Sequence, residues 1–366
     1  SSSSLFCTQS DNNNNNNCIS VKRYIYTCGY MKIPHISMGE VSNYRTMLFP
    51  NLLHNESRYP TKKDVRLISG PGCNDFFPGI TIYVDSEAGQ IILTREAIGK
   101  GLIYIGVSDQ TVLNTLRLNF KEKFIGSINY TWGAINLLRA DHFQHQLHVL
   151  SSTRRNENVQ KEDGTIRINK GFMAYIYSNC KRIFREEIYN KFVELAIKLN
   201  IDMPVAYGKC FGNYPETIFS FADERTALSL DDDDGVNEYI PLGHKARDID
   251  TQNLMSKHSF VLAVEATNMP WYHTEKLFNA FASGAIPIYY GSKTVFHIFR
   301  KESFIWIDPD KLNASLNITI NQVKALLINK HKYNTMLKEQ MLVNGAMEKY
   351  VDPSNGLANI LIDMVF

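Results

Sequence analysis

Thr274, Glu275 and Lys276 stand where a chain turns from a loop into a helical pattern, and a hydroxyl, a carboxylate and an ammonium at such a place suit capture of an anion. They lie within residues 258–291, HSFVLAVEATNMPWYHTEKLFNAFASGAIPIYYG, which read as a buried strand, a loop, a helix and a second buried strand. In an open parallel sheet a ligand sits beyond the carboxyl ends of the strands. A helix that starts there offers free N–H groups and the positive end of its dipole, which together favour phosphate.

The elements that must hold these residues are legible from pattern. Phe260–Val264 is a continuous apolar run, as expected for a strand covered on both faces. Thr274 suits an N-cap, Leu277, Ala280 and Phe281 form an i, i+3, i+4 stripe, and Gly284 suits the position just past the helix. Ala285–Tyr290 returns as a strand, with Pro287 more natural near a strand's start or at a sheet edge. The connection predicts a right-handed βαβ unit. A second unit precedes it: a strand at Gly171–Tyr177, a helix over Lys181–Leu199 with Phe184, Ile188, Phe192, Leu195 and Leu199 on one face, and a strand beginning in Pro204–Tyr207. Ile80–Val84 and Leu102–Val107 are further strand-like stretches.

Composition narrows the classes of partner. Across 366 residues, 39 Lys and Arg balance 37 Asp and Glu for a net charge of +2, so no broad attraction to nucleic acid or a membrane surface is expected and any anion site is local. No apolar run approaches the roughly 18 residues of a membrane span, and no signal-peptide core is visible. The chain opens on Ser1 rather than Met, so the expectation is a fragment, with any targeting segment or membrane anchor upstream. Six cysteines include no CxxC pair and no Cys/His spacing of a zinc site. Asn55-Glu-Ser, Asn129-Tyr-Thr, Asn313-Ala-Ser and Asn317-Ile-Thr fit the N-glycosylation triplet, which matters in a secretory compartment.

Residues 1–20, with SSSS and NNNNNN, read as a low-complexity tail. Residues 21–165 form an N-terminal α/β domain, 166–345 a C-terminal α/β domain, and 346–366 a segment expected to pack back on the N-terminal one. RRNENVQKEDG at 154–164 reads as the linker between them. Asp231–Asp234, within an insertion at 219–250, reads as a solvated acidic loop rather than a metal site. On a helix, the i, i+3, i+6 spacing of His142, His145 and His148 spreads them over a wide arc, which suits packing better than metal ligation. No GxGxxG follows a predicted strand, which argues against a dinucleotide dehydrogenase.

Motifs in the C-terminal half add a family resemblance. Ser178-Asn179-Cys180 is followed five residues on by Arg185; Tyr207-Gly208-Lys209-Cys210 ends the next predicted strand. Val264-Glu265-Ala266-Thr267 then precedes Trp271-Tyr272-His273-Thr274-Glu275-Lys276, and SFIWID follows at 303–308. In this order and spacing, over about residues 170–311, the chain resembles the α1,3/α1,4-fucosyltransferase family, inverting enzymes that use GDP-fucose. In the N-terminal half PGITIYVDSE, residues 78–87, resembles the family's strand that ends in the catalytic glutamate. Three departures stand out. Ala266 replaces an asparagine near the guanine, leaving base recognition to be rebuilt with Thr267 or Asn268; an Arg-x-Asp-Ser-Asp stretch is not found after Asn129; and the C-terminal CxxC of animal members is absent.

The resemblance implies two Rossmann-like domains facing one another, the GT-B arrangement, with acceptor glycan on the first and GDP-fucose on the second. It implies Glu87 as general base, with Glu96 and Glu122 as rivals, and Asn179, Arg185, Lys209, Glu265, Tyr272, Thr274, Glu275 and Lys276 as donor contacts. Arg185 alone would read as an ordinary exposed helix arginine. Within the motif it becomes, with Lys276, a grip on the departing diphosphate in place of a metal ion or other cofactor. Glu275 suits ribose hydroxyls, and Tyr272 suits stacking on or hydrogen bonding to the nucleotide. Cys180 and Cys210 either bridge or remain buried thiols, according to compartment. The expected product is an α1,3-fucoside on N-acetylglucosamine of a glycan or glycoprotein, made in the Golgi lumen, or in the cytoplasm if no anchor precedes the chain. Two alternatives are a metal-independent GT-B transferase for another nucleotide sugar and an inactive nucleotide- or glycan-binding relative.

Overall fold

The structure, a computed structural model, describes residues 24–29, 53–54, 59–69, 74–84, 93–106, 110–129, 171–218, 251–351 and 356–365. The Ser/Asn tail, Glu87, the histidines at 142, 145 and 148, the 154–164 linker and the Asp231–Asp234 run lie outside the described residues. The described residues fall into two compact units, one drawn from 1–141, 269–272 and 348–366, the other from 142–268 and 273–347.

Each unit is built on a parallel sheet. The first contains β1 (Tyr24–Gly29), β2 (Leu53–His54), β3 (Val65–Ser69), β4 (Ile80–Val84), β5 (Gly101–Gly106) and β6 (Phe124–Asn129), in the order β2-β1-β3-β4-β5-β6. The second contains β7 (Gly171–Tyr175), β8 (Val205–Ala206), β9 (His258–Val264), β10 (Ile286–Tyr290) and β11 (Ile305–Ile307), in the order β11-β10-β9-β7-β8. Numbered within its own unit, the second sheet follows 2-1-3-4-5 and the first the same order with a sixth strand added, 2-1-3-4-5-6, rather than the 3-2-1-4-5-6 of a dinucleotide-binding Rossmann fold. Both are doubly wound α/β orders. In the second sheet the order reverses between β7 and β9, so a ligand crevice is expected beyond their carboxyl ends.

The strands form where the sequence offers continuous apolar runs. Every residue of β4, β5, β9 and β10 is buried, as parallel strands with both faces covered require. Pro287 lies in an interior strand but is its second residue. It pairs with Val261 one step before the β11 ladder begins at Ile288, where a missing donor is tolerated.

Helix α1 (Gln110–Phe120) buries Val112, Leu116 and Phe120 in the first unit. In the second unit, α2 (Ile183–Leu199) buries Ile188, Tyr189, Phe192, Val193, Leu195 and Ala196, and ends on Asn200 in the left-handed region, a conformation asparagine tolerates. Helix α3 (Glu275–Ala282) buries Leu277, Phe278, Ala280 and Phe281 and is followed by Gly284 at φ +75°. Helices α4 (Leu312–Ile328) and α5 (Lys330–Lys338) complete that core through Leu316, Val323, Leu326, Tyr333 and Leu337. The last helix, α6 (Gly356–Val365), belongs to the first unit, where the Met364 side chain lies so close to Gly126 of β6 that a Cβ there would come within 2.7 Å of it.

Candidate nucleotide-diphosphate site

Beyond the carboxyl ends of β7 and β9 the chain assembles a small charged cluster from two directions. Glu265 is the first residue after β9. It is fully buried, its N–H donates to the Tyr290 carbonyl at 2.9 Å, and its carboxylate points to the start of α3. There Oε1 accepts the Thr274 N–H and Oε2 the Thr274 hydroxyl, each at 2.7 Å.

Thr274 thus occupies the N-cap position that its sequence suits, but its own oxygen does not cap the helix. The hydroxyl is held by Glu265 and accepts from Lys276 Nζ at 3.0 Å. With both oxygens taken and no exposure, Glu265 acts in this structure as a holder of Thr274 rather than as a group facing a ligand. Gly291 leaves room for it: a Cβ there would fall 2.3 Å from the Tyr289 hydroxyl and 3.0 Å from Glu265 Cγ.

Lys276 sits between carboxylates, 2.9 Å from Glu275 Oε1 and 3.9 Å from Glu265 Oε2. Burial alone would lower its pKa, but Glu275 and Glu265 outweigh burial and raise it, so the ammonium stays charged at any working pH. Burial pushes Glu265 upward against the pull of Lys276. For Glu275 burial is overcome, by Lys276 first, and its pKa falls. Glu275 is therefore an ionised acceptor about one-third exposed, beside a lysine with 23% of its side chain exposed.

The second arm comes from β7. Tyr177, two residues past that strand, is buried, and its hydroxyl donates to the Leu262 carbonyl at 3.1 Å and accepts the Val264 N–H, tying the end of β7 to the end of β9. Arg185, in the first turn of α2, stacks its guanidinium 4.6 Å from the centre of the Tyr177 ring. Arg185 is 4% exposed, and its Nε makes no hydrogen bond. A cation in a first helical turn opposes the helix dipole, and a buried donor without a partner costs free energy, so neither packing nor helix stability accounts for it. The Tyr177 phenol reports on both cations: burial pushes it up to about 12, against the lowering pull of Lys276 and then Arg185.

The two cysteine motifs brace this arm. Cys180 and Cys210 are joined by a disulfide, which settles the alternative left open by the sequence. The Tyr177 carbonyl accepts from the N–H groups of Lys209 and Cys210 at 2.9 and 3.1 Å, and a Cβ at Gly208 would stand 2.0 Å from that oxygen. Glu186 adds a bridge, accepting from the Tyr175 hydroxyl and from the Gly212 N–H. Asn179 and Lys209 are exposed, and the Asn179 side chain accepts the Lys181 N–H at 3.2 Å.

Tyr272 is buried, and its N–H donates to the Met269 carbonyl at 3.1 Å in the turn before α3. Within the first unit Met269 packs against the Ile68, Tyr83 and Phe120 cluster, and Trp271, at φ +67°, meets the Tyr350 ring at 5.3 Å. Asn268 donates to Asp310 at 2.9 Å.

Of the rivals to Glu87, exposed Glu96 precedes β5, and exposed Glu122, paired with Arg95, precedes β6. Both stand at amino ends of strands. Glu87 follows β4 by three positions in sequence and lies outside the described residues.

Sequence reasoning overlooked Tyr177, Glu186 and His273. Tyr177 read as the last residue of an apolar strand; the signal available was its hydroxyl, which a buried tyrosine must satisfy. His273 is fully buried between the Tyr289 and Thr294 hydroxyls, each 3.0 Å from a ring nitrogen, and burial, then His297, lowers its pKa to about 3. Among the described residues, no group of three or more His, Cys, Asp or Glu side chains is placed to hold a metal ion.

A doubly wound sheet with two cations beside its switch point places the chain among α/β folds whose ligands bind beyond the carboxyl ends of the strands. Comparison with known proteins narrows that class: residues 167–341 match the glycosyltransferase family 10 (fucosyltransferase) C-terminal domain, a stretch that contains Tyr177, Arg185, Glu265, Thr274, Glu275 and Lys276. An α-(1,3)-fucosyltransferase of Helicobacter pylori is 35% identical over 88 residues, 24% of this chain and 18% of the relative. An α-(1,4)-fucosyltransferase of Arabidopsis thaliana is 54% identical over 41 residues, 11% of this chain and 10% of the relative. The chain's matches thus span less than one-fifth of these relatives' lengths. In fold the chain is similar to a crystal structure of an α1,3-fucosyltransferase with GDP, at a TM-score of 0.56 and 15% identity, covering 99% of this chain and 93% of that one. A second α1,3-fucosyltransferase structure gives 0.57 at 16% identity, covering 94% and 90%. The fold is α/β with parallel sheets, that of the GT-B fucosyltransferase structures.

Proposed function

We propose that the chain is an inverting fucosyltransferase that moves L-fucose from GDP-fucose to a hydroxyl of an acceptor glycan, O3 of N-acetylglucosamine, giving an α1,3-fucoside. The observation that carries this reading is the family match over the segment in which buried Arg185 and ion-paired Lys276 are both felt by Tyr177. In the reaction an acceptor oxygen attacks the sugar carbon as the bond to the diphosphate breaks, and negative charge grows on the leaving oxygens. Arg185 offers a planar fork and Lys276 a point charge to those oxygens, so the developing charge is met by the protein without a divalent metal. The ionised Glu275 accepts from ribose hydroxyls, Tyr272 lies against the nucleotide, and Glu87 takes the acceptor's proton.

The Cys180–Cys210 bond supports an oxidising compartment, and the reading places the enzyme in the secretory lumen. The test is incubation of the chain with GDP-fucose or other nucleotide sugars and a panel of N-acetylglucosamine-terminated glycans, read by mass spectrometry. A deoxyhexose added from GDP-fucose, with linkage analysis at O3, is the expected result. Turnover only with another donor would point to a different transferase. GDP binding by calorimetry with no transfer to any acceptor would point to a binding protein.

A further inference from the structure

Helix α4 carries two acceptor-type triplets four residues apart, Asn313-Ala314-Ser315 and Asn317-Ile318-Thr319. Both asparagines are exposed, but the hydroxyl residues differ. Ser315 has a structural role, since its Oγ accepts the Asp308 N–H at 2.7 Å and fastens the turn that leads into the helix. Thr319 has none. It is 1% exposed, and its hydroxyl makes no hydrogen bond, not even the back-bond to a carbonyl one turn earlier that helical threonines commonly use.

A buried hydroxyl without a partner weakens a fold, and valine would fill the same space without that cost. The hydroxyl at 319 therefore serves something other than the folded helix. The triplet gives it a use before α4 forms, when Asn317, Ile318 and Thr319 are an extended, accessible strand of chain.

We infer that Asn317 is an N-glycosylation site, and that Thr319 keeps its hydroxyl for recognition of the triplet during translocation. In that step the Asn317 amide nitrogen forms a bond to the first carbon of an oligosaccharide carried on a lipid diphosphate. The carbon–oxygen bond to the diphosphate breaks, the lipid diphosphate leaves, and the amide loses one proton. After folding the sugar chain projects from the solvent side of α4, where Lys324 is the one charged residue among the exposed positions of the helix and where Ile318 is 61% exposed. The glycan shields that weakly charged face. The inference rests on the secretory location proposed above.

The experiment uses the full chain, secreted from eukaryotic cells behind a cleavable signal and digested with peptide N-glycosidase in heavy-oxygen water. Conversion of Asn317 to labelled aspartate is expected; Thr319→Val and Asn317→Gln abolish the label and the matching glycan mass, and Thr319→Ser retains both. A second readout needs no glycan. In protein exported to the bacterial periplasm, Thr319→Val is expected to melt at the parent's temperature or above. An unlabelled Asn317 overturns the inference, as does a Thr319→Val variant that melts below the parent, which would give the hydroxyl a structural role. Fucosyl transfer assayed on the same secreted sample separates the two readings: active protein without the glycan sinks the site alone, and glycosylated protein without transfer sinks the enzymatic reading alone.

Discussion

At the scale of single residues, the strongest placements are two cations, one in surroundings that discourage charge and one held by carboxylates. Arg185 is enclosed at the positive end of a helix, and Lys276 shares a small space with two carboxylates. Removing a donor aimed at charge that develops in a transition state costs about 3 kcal/mol, or roughly a hundredfold in rate. Arg185→Ala and Lys276→Ala are therefore each expected to lower kcat at least a hundredfold while far-ultraviolet circular dichroism stays unchanged; normal turnover in both would dismiss the leaving-group role. His273 supports a prediction with a sign. Its folded pKa of about 3 lies below the ordinary histidine value of about 6.5, so below that value the unfolded chain binds a proton that the folded chain refuses. This contribution to stability is intact above pH 6.5 and is lost as the pH falls, by at most about 1.4 kcal/mol per pH unit, down to about 3. Urea unfolding at pH 7 and pH 5 should show the parent losing about 2 kcal/mol more than His273→Gln.

At the scale of elements, the strand–loop–helix unit around Thr274 and the α2 stripe were legible in the sequence because their spacing is regular. Glu265–Thr274 and the Tyr177 bridge were not, because they join residues that are distant in sequence through side chains, and no periodicity encodes that. The sequence suggested that Thr274 would cap α3 with its own oxygen. In the structure that oxygen is instead held by a buried carboxylate at the end of the neighbouring strand and leaves the helix uncapped, an arrangement visible only once β9 and α3 are packed. The Cys180–Cys210 bridge belongs to this scale as well. It closes a loop of 30 residues around α2 and β8, and chain-entropy arguments put the stabilisation of such a loop at about 3–4 kcal/mol. A Cys180→Ser, Cys210→Ser double variant should unfold at correspondingly lower guanidinium concentration. Its KM for the donor should also rise, because the turn that presents Arg185 loses its brace; an unchanged KM would show that the hydrogen bonds from Lys209 and Cys210 to Tyr177 suffice.

At the scale of the whole molecule, two sheets whose strand orders agree over five strands are built from one chain, and the final helix returns to the first of them. Deleting residues 356–366 removes Met364 from Gly126. Amide exchange should then quicken in β5 and β6 while β7, β9 and β10 keep their protection; equal loosening in both sheets would show that the helix supports more than its own unit. The glycosylation site, if occupied, lies on the second unit, on the outer side of α4.

The pairing of Glu265 with Thr274 spans nine positions of chain, and its consequence reaches past stability. Because α3 is registered against the end of a strand by a carboxylate, the intervening residues 266–273 need not dictate where Lys276 stands. That interval holds Ala266, Thr267 and Asn268, where this chain departs from the family it resembles. Under the proposed donor site, a fixed anchor beside a variable reader would let the choice of base drift while the grip on phosphate stays put.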